Sequence, residues 1–236
     1  LKITVIHGQS HKGSTYHIAR MLTDRLGGEV TEFMLPRDFS SYCCGCINCF
    51  EDETKCPHYA NLSPITKALD EADVIILASP TYVLHATGSM KNLLDHYGWR
   101  FMVHRPEEKM FSKQAVVIST AAGAGMKGAI KDMSDSLLFW GVPKIYKYGA
   151  AVFSTDWEGV APGMKRKIEK SMDKLADKIY KTQGQVKVGI KTKGLFHAVR
   201  TLRVFLGKDS CTEADMRLWM KKGWIDKNRP WKKVSN

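Results

Sequence analysis

"KITVIHGQSHKGSTYHIARMLTDRL", residues 2–26, decides the fold. Residues 2–8, with Ile3, Val5 and Ile6 ahead of Gly8, read as a short buried strand that ends in glycine. From Ser14 to Leu26 the period changes to that of a helix. Ile18, Met21, Leu22 and Leu26 fall on one face, and Ser14 or Thr15 is placed to cap the first turn. Between strand and helix lies "GQSHKG" (8–13), polar and rich in small residues. A strand that feeds a helix through such a loop is the first half of a crossover unit, which joins parallel strands.

The same pattern recurs along the chain. "EVTEFML" (29–35), "DVIILASP" (73–80), "QAVVIST" (114–120) and "KIYKYGAAVF" (144–153) read as further strands. Helices are predicted to open at Ser63–Pro64, to cover "SMKNLLDHYGW" (89–99), and to run from the glycine-rich "AAGAGMKG" to about Trp140. A last one covers 164–182, with Ile168, Met172, Leu175 and Ile179 on one face. Strands without polar alternation, separated by helices, predict an α/β fold. The expected architecture is a flavodoxin-like, doubly wound, five-stranded parallel sheet with helices on both faces and a C-terminal helical arm.

Residues 1–182 form the expected domain, with a cysteine-rich loop (43–56) inserted, and residues 183–236 the arm. In the arm, "GQVKVGIKTKG" reads as a basic linker and "LFHAVRTLRVFL" (195–206) as a short amphipathic helix. The segment 213–231 carries three tryptophans. Tryptophans this close together call for a protein surface, on the chain's own domain or, preferably, on a second subunit of a homodimer or homotetramer. The rival reading is a helix lying on a membrane surface, because basic and apolar residues alternate. The net charge is +12 with a pI near 9.4, yet no nucleic-acid-binding motif accompanies it, so the charge reads as a solvated basic surface. No apolar run reaches the roughly 20 residues of a membrane span. The start "LKITVIHG" enters a strand without a signal-peptide pattern, which predicts a cytoplasmic, reducing setting.

Three strand-to-helix loops carry unusual chemistry. In "HGQSHKGSTYH" (7–17), backbone N–H groups, the hydroxyls of Ser10, Ser14 and Thr15, and the charge of Lys12 meet a helix N-terminus, a set suited to a monophosphate. It has neither Walker A nor GxGxxG spacing. In "SPTYVLHATGSMKNLLD" (79–95), Pro80 ends a strand sharply. The backbone of Thr81–Val83 is then free to bond a flat heterocycle, with the Tyr82 ring beside it. In "STAAGAGM" (119–126), Gly123 and Gly125 permit close backbone approach to a ligand. Each loop alone also reads as an ordinary turn; their conjunction on strands one, three and four points to a ligand.

These residues resemble those of the NADPH-dependent FMN reductase branch of the flavodoxin-like superfamily, including its iron–sulfur flavoproteins. The resemblance rests on G-x-S-x-K-G-S-T at Gly8–Thr15 and on "SPTY" at 79–82 with Lys91 and Asp95 downstream. It rests also on the glycine loop 119–126 and on "CCGCINC" (43–49), which fits the family's C-x-G-C-x-x-C segment. It covers about residues 2–182, and "WMKKGWID" (219–226) is similar to tails of some members. Two stretches depart from the pattern: His11 stands before Lys12 where the family often has Pro–Arg, and "PHYANL" (57–62) replaces an acidic pair. The resemblance implies FMN, with its phosphate at Ser10, Lys12, Gly13, Ser14 and Thr15. Its isoalloxazine would lie against Pro80, Thr81, Tyr82 and Val83 and the loop containing Thr120, Ala121, Gly123 and Gly125.

Five of the six cysteines crowd into "CCGCINCFEDETKC" (43–56). Cys43, Cys46, Cys49 and Cys56 give C-x2-C-x2-C-x6-C followed by Pro57, a spacing that suits a [4Fe–4S] cluster. Zinc on four thiolates, redox-active thiols and a purely structural loop remain open, whereas disulfides are the weakest reading. The expected activity is electron transfer from NAD(P)H through FMN to a small-molecule or protein acceptor, with no protein acid or base assigned. Two alternatives stand: an iron–sulfur flavoprotein fed by a ferredoxin-like donor, and a non-catalytic flavin-binding sensor or scaffold.

Overall fold

A computed structural model describes residues 1–232, apart from the side chains of Lys208 and Ser210; the last four residues of the expected arm lie outside the described residues. Five strands, β1 (Lys2–His7), β2 (Glu29–Met34), β3 (Val74–Ala78), β4 (Gln114–Ala121) and β5 (Lys144–Ala151), form one parallel sheet in the order β2-β1-β3-β4-β5. This is the flavodoxin-like order, with its switch point between β1 and β3. The helices are α1 (Ser14–Leu26), α2 (Tyr59–Glu71), α3 (Gly88–Asp95), α4 (Met126–Phe139), α5 (Pro162–Thr182), α6 (Ile190–Leu206) and α7 (Glu213–Lys221).

The alternation of β3 shows how the layers form. Ile75 and Leu77 join one core with Leu62 of α2, Leu93 of α3 and Met133 of α4. Val74, Ile76 and Ala78 join the opposite core with Leu22 of α1 and Met172 of α5. Every residue of β3 is buried, which explains a sequence run with no polar alternation. A third cluster, Met102, Phe111, Phe196, Val199, Trp219 and Trp224, seats α6 and α7 on the segment before β4. Trp219 and Trp224 are thus buried within their own chain.

Three local expectations are corrected. The second helix opens at Tyr59, not at Ser63–Pro64, and Pro64 lies inside it. Proline cannot donate to the carbonyl four residues back, and here the Ser63 hydroxyl donates to that group, Ala60 O, at 3.3 Å. The sixth helix begins at Ile190, taking in part of the segment read as a linker, because Thr192 and Phe196 bury the same face as Val199. At α1 the N-cap is Gly13, with no side-chain cap; Ser14 and Thr15 are buried in the first turn.

Lys113, just before β4, is 5% exposed, and its ammonium donates to Asp70 O at 2.8 Å and to Ala72 O. Burial lowers its pKa from the ordinary 10.5 to about 8, an effect that the nearby Asp70 and Asp73 only partly offset. Between these values the unfolded chain holds a proton that the folded chain releases, so stability should rise with pH through this window. Denaturant midpoints at pH 7.5 and 9.5 should show that rise in the wild type and a smaller one in Lys113→Met. An equal rise in both would mean that Lys113 is not the group responsible.

Candidate functional site

The carboxyl ends of β1, β3, β4 and β5 surround one cleft of about 250 Å³. The strand ends are held together by hydrogen bonds. Gly8 N donates to Ala78 O at 2.7 Å, Thr81 N to Thr120 O at 2.8 Å, and Val152 N to Ala121 O at 2.9 Å. Gly8 allows this closure: a Cβ there would sit 2.8 Å from Thr87 Oγ1 and 2.9 Å from Ser79 Oγ. The same Thr87 hydroxyl donates to Gly8 O at 2.7 Å.

Of the sequence-predicted residues, Gly13, Ser14, Thr15, Pro80, Thr81, Tyr82, Thr120 and Ala121 line the cleft. Thr15 Oγ1 and Thr120 Oγ1 lie 2.6 Å apart, joining the first loop to the third. No side chain caps α1 and its first turn holds no acidic residue, so its N–H groups and dipole face the cleft without a side-chain anion.

The other predicted residues lie outside the lining. The Ser10 hydroxyl donates to Leu35 O at 3.1 Å, on the side of β2. The Lys12 ammonium sits 5.4 Å from the centre of the Tyr16 ring. Val83 is 94% exposed. Gly123 borders open space, and Gly125, at φ +99°, backs onto Leu84 as the N-cap of α4.

The cleft also includes residues that the loop motifs did not mark, among them Val152, Ser154 and Thr155. The Ser154–Thr155 pair after β5 was not read as a loop motif, and strand order brings it to the cleft. His7 forms part of the wall and bonds Glu32 at 3.1 Å; burial holds it below the ordinary imidazole range, and Glu32 offsets part of that effect.

The cysteine loop forms a second, smaller cavity of about 70 Å³, bordered by Cys43, Cys44, Cys46, Cys49 and Cys56 and by His96. All are free thiols. Burial pushes Cys49 up to about 11, with further contributions from the charges of Cys56, Cys43 and Cys46. Those four are the residues of the C-x2-C-x2-C-x6-C spacing. Gly45 (φ 66°) and Ile47 (φ 56°) turn the loop through left-handed conformations. Arg105 fastens its far end, donating to Cys49 O at 2.7 Å and to Phe50 O. Among the described residues, no three His, Cys, Asp or Glu side chains stand as a ready ligand set for a metal ion.

Against this geometry, a sequence model of the NADPH-dependent FMN reductase family matches residues 1–156. The chain belongs to the NADPH-dependent FMN reductase family. Membership makes it an FMN-dependent oxidoreductase and accounts for a cleft at the switch point with an uncapped helix at one end. An iron–sulfur flavoprotein of Archaeoglobus fulgidus is 28% identical over 206 residues, covering 84% of this chain and 86% of that relative. The fold is similar to that of an FMN-dependent NADH-azoreductase from Bacillus anthracis solved with FMN, at a TM-score of 0.55 and 11% identity over 75% of this chain and 100% of the other. It is similar also to an NAD(P)H:quinone oxidoreductase from Methanothermobacter marburgensis, at a TM-score of 0.55 and 14% identity over 78% of this chain and 98% of the other.

Proposed function

We propose that this family member binds FMN in the switch-point cleft and takes its electrons from NAD(P)H for delivery to a small-molecule or protein acceptor. The carrying observation is the uncapped, acid-free first turn of α1 opening on a cleft that Pro80–Tyr82 and Thr120–Ala122 also line. The phosphate would meet the N–H groups and hydroxyls of Ser14 and Thr15. Tyr82 and the backbone of Thr81 and Ala121 would hold the flat ring. Bound FMN supplies hydride acceptance and electron delivery, while the protein orients it and shields it from water. Thr120 fixes the Thr15 hydroxyl, so Thr15→Ala should weaken FMN binding about ten- to a hundredfold, the range of a hydrogen bond to a charged group. Fluorescence titration with FMN checks this; unchanged affinity would remove Thr15 from the phosphate site.

A second reading is favoured by the cysteine cavity. Four of its thiols follow the C-x2-C-x2-C-x6-C spacing that suits a [4Fe–4S] cluster, and all four border the one cavity. Cys43, Cys46, Cys49 and Cys56 would hold it, and a one-electron donor of ferredoxin type would then be able to feed the flavin. The deciding experiment is an absorption spectrum of protein purified without oxygen, with iron, sulfide and NAD(P)H oxidation measured on the same sample. Flavin with about four irons per chain supports the cluster. Flavin with NAD(P)H oxidation and no iron leaves the reductase alone. Flavin without turnover by either donor favours a sensor, and failure to bind added FMN sinks the whole reading.

A further inference from the structure

We propose that the outer face of α6 is a docking surface for an anionic lipid bilayer. The inner face of this helix, Thr192, Phe196, Val199 and Arg203, is buried, with Phe196 and Val199 in the third cluster. The opposite face presents Ile190, 90% exposed, Phe205, 81% exposed, and Leu202, 53% exposed. Gly194, Ala198 and Thr201 lie between them, also exposed and uncharged, together with the exposed His197. A solvent-facing strip about 22 Å long, at 1.5 Å per residue, thus runs along the helix, with large apolar side chains at both ends and small residues and His197 between.

Charge selects the occupant. By helical spacing, Lys191 lies on the Leu202 side of the strip, between Ala198 and Leu202, Lys193 and Arg200 border its other edge, and α6 contains no Asp or Glu. Thirteen Lys and Arg against four Asp and Glu fall in residues 183–236, so this arm holds nine of the chain's twelve net positive charges. An exposed strip with apolar ends and cations beside it, without acids, is the make-up of a helix that lies in a membrane interface. A second copy of the chain is the poorer partner: pairing α6 with α6 would bring Lys191, Lys193 and Arg200 against their like with no acid on the helix to answer them. Trp219 and Trp224 are buried in the chain and do not compete for the role of anchor. Among the described residues no helix is long and apolar enough to cross a membrane, so α6 would lie on the surface.

The test uses the full chain loaded with FMN and sedimented with phosphatidylcholine vesicles, with and without phosphatidylglycerol. The protein is expected to sediment with the phosphatidylglycerol vesicles and to be released by salt. Phe205→Glu should lower partitioning more than about tenfold, and Lys191→Ala about fivefold, since a cation near an anionic surface contributes about 1 kcal/mol. Both positions are exposed, so FMN content and thermal midpoint should stay at wild-type values. Failure to sediment with phosphatidylglycerol vesicles overturns the proposal, as does equal binding by Phe205→Glu. A wild-type dimer in light scattering that Phe205→Glu splits into monomers would assign the face to a second copy instead.

Discussion

Asp215→Ala is expected to destabilise the protein by about 2–5 kcal/mol, the cost of leaving two partly buried donors without their charged acceptor. Asp215 has no exposed surface, although it lies in the arm, on α7. Its Oδ2 accepts from His104 Nδ1 at 3.0 Å and from Thr212 N at 3.1 Å, the second bond closing the capping box of α7. Its Oδ1 lies 3.9 Å from Arg105 Nη1. Arg105 in turn holds the carbonyls of Cys49 and Phe50, and the Thr212 hydroxyl donates to Phe50 O at 3.2 Å. Removing the carboxylate leaves the His104 Nδ1–H and the Thr212 N–H without their acceptor, and takes one of two anions from beside Arg105, which keeps Glu53 at 3.2 Å. The loss should reach the cysteine loop as well as the arm. Denaturant melts should therefore be joined by alkylation of Cys49, expected to be faster in Asp215→Ala. Asp215→Asn keeps an acceptor for His104 and Thr212 and should lose only about 1–2 kcal/mol. A melt of Asp215→Ala within 1 kcal/mol of wild type would refute the account.

That network also marks the limit of what sequence conveys. The strands and α1 were legible because their signals are local: an apolar run of fixed length and a period of 3.6 residues are both complete within one element. The α1 limits, 14–26, coincide with the observed helix. Pro64 misled because the helix extends one turn before it, where the Ser63 hydroxyl takes up the Ala60 carbonyl and Leu62 is buried in the core. The pairing of Asp215 with His104 spans 111 residues, and neither side chain has a motif to announce it. At the cleft, the hydroxyl and glycine loops marked the ends of β1, β3 and β4. They did not show that Ser10 turns toward Leu35 or that Lys12 lies over Tyr16. Those orientations depend on neighbours brought in by β2 and by the first turn of α1. The arm was legible as an amphipathic segment, but which tryptophans it buries, and therefore which face it leaves to solvent, followed only from the packing on Phe111.

The least legible element beside the cleft yields the second large effect. Residues 82–85 form a tight turn in which Tyr82 N donates to His85 O at 2.9 Å and His85 N to Tyr82 O at 3.1 Å. Its two central residues are Val83 (φ 49°) and Leu84 (φ 68°), where such a turn normally selects glycine or asparagine. Left-handed backbone at a residue with a side chain costs roughly 1–2 kcal/mol, so the turn needs outside support. Asp132 on α4 supplies part of it, accepting from Ala86 N at 3.1 Å and bonding His85 Nδ1 at 3.1 Å. The rest comes from backbone contact with α4 itself. A Cβ added at Gly128 would fall 2.1 Å from the Leu84 carbonyl oxygen. In an ordinary helix interior, glycine to alanine would stabilise by up to about 1 kcal/mol. Here Gly128→Ala should instead destabilise by about 1–3 kcal/mol, because backbone must move to admit the methyl group. The displaced turn carries Tyr82, one wall of the cleft. On the proposed site, FMN affinity should fall about tenfold, equivalent to ~1.4 kcal/mol of lost contact. Gly123→Ala is the control: nothing lies within 4 Å of its Cβ position, so stability should hold. If Gly128→Ala melts at or above the wild-type temperature and binds FMN as tightly, α4 does not brace the turn. The strain at Val83 and Leu84 would then have to be balanced from within the loop, where its own two backbone hydrogen bonds are too few to offset two left-handed residues.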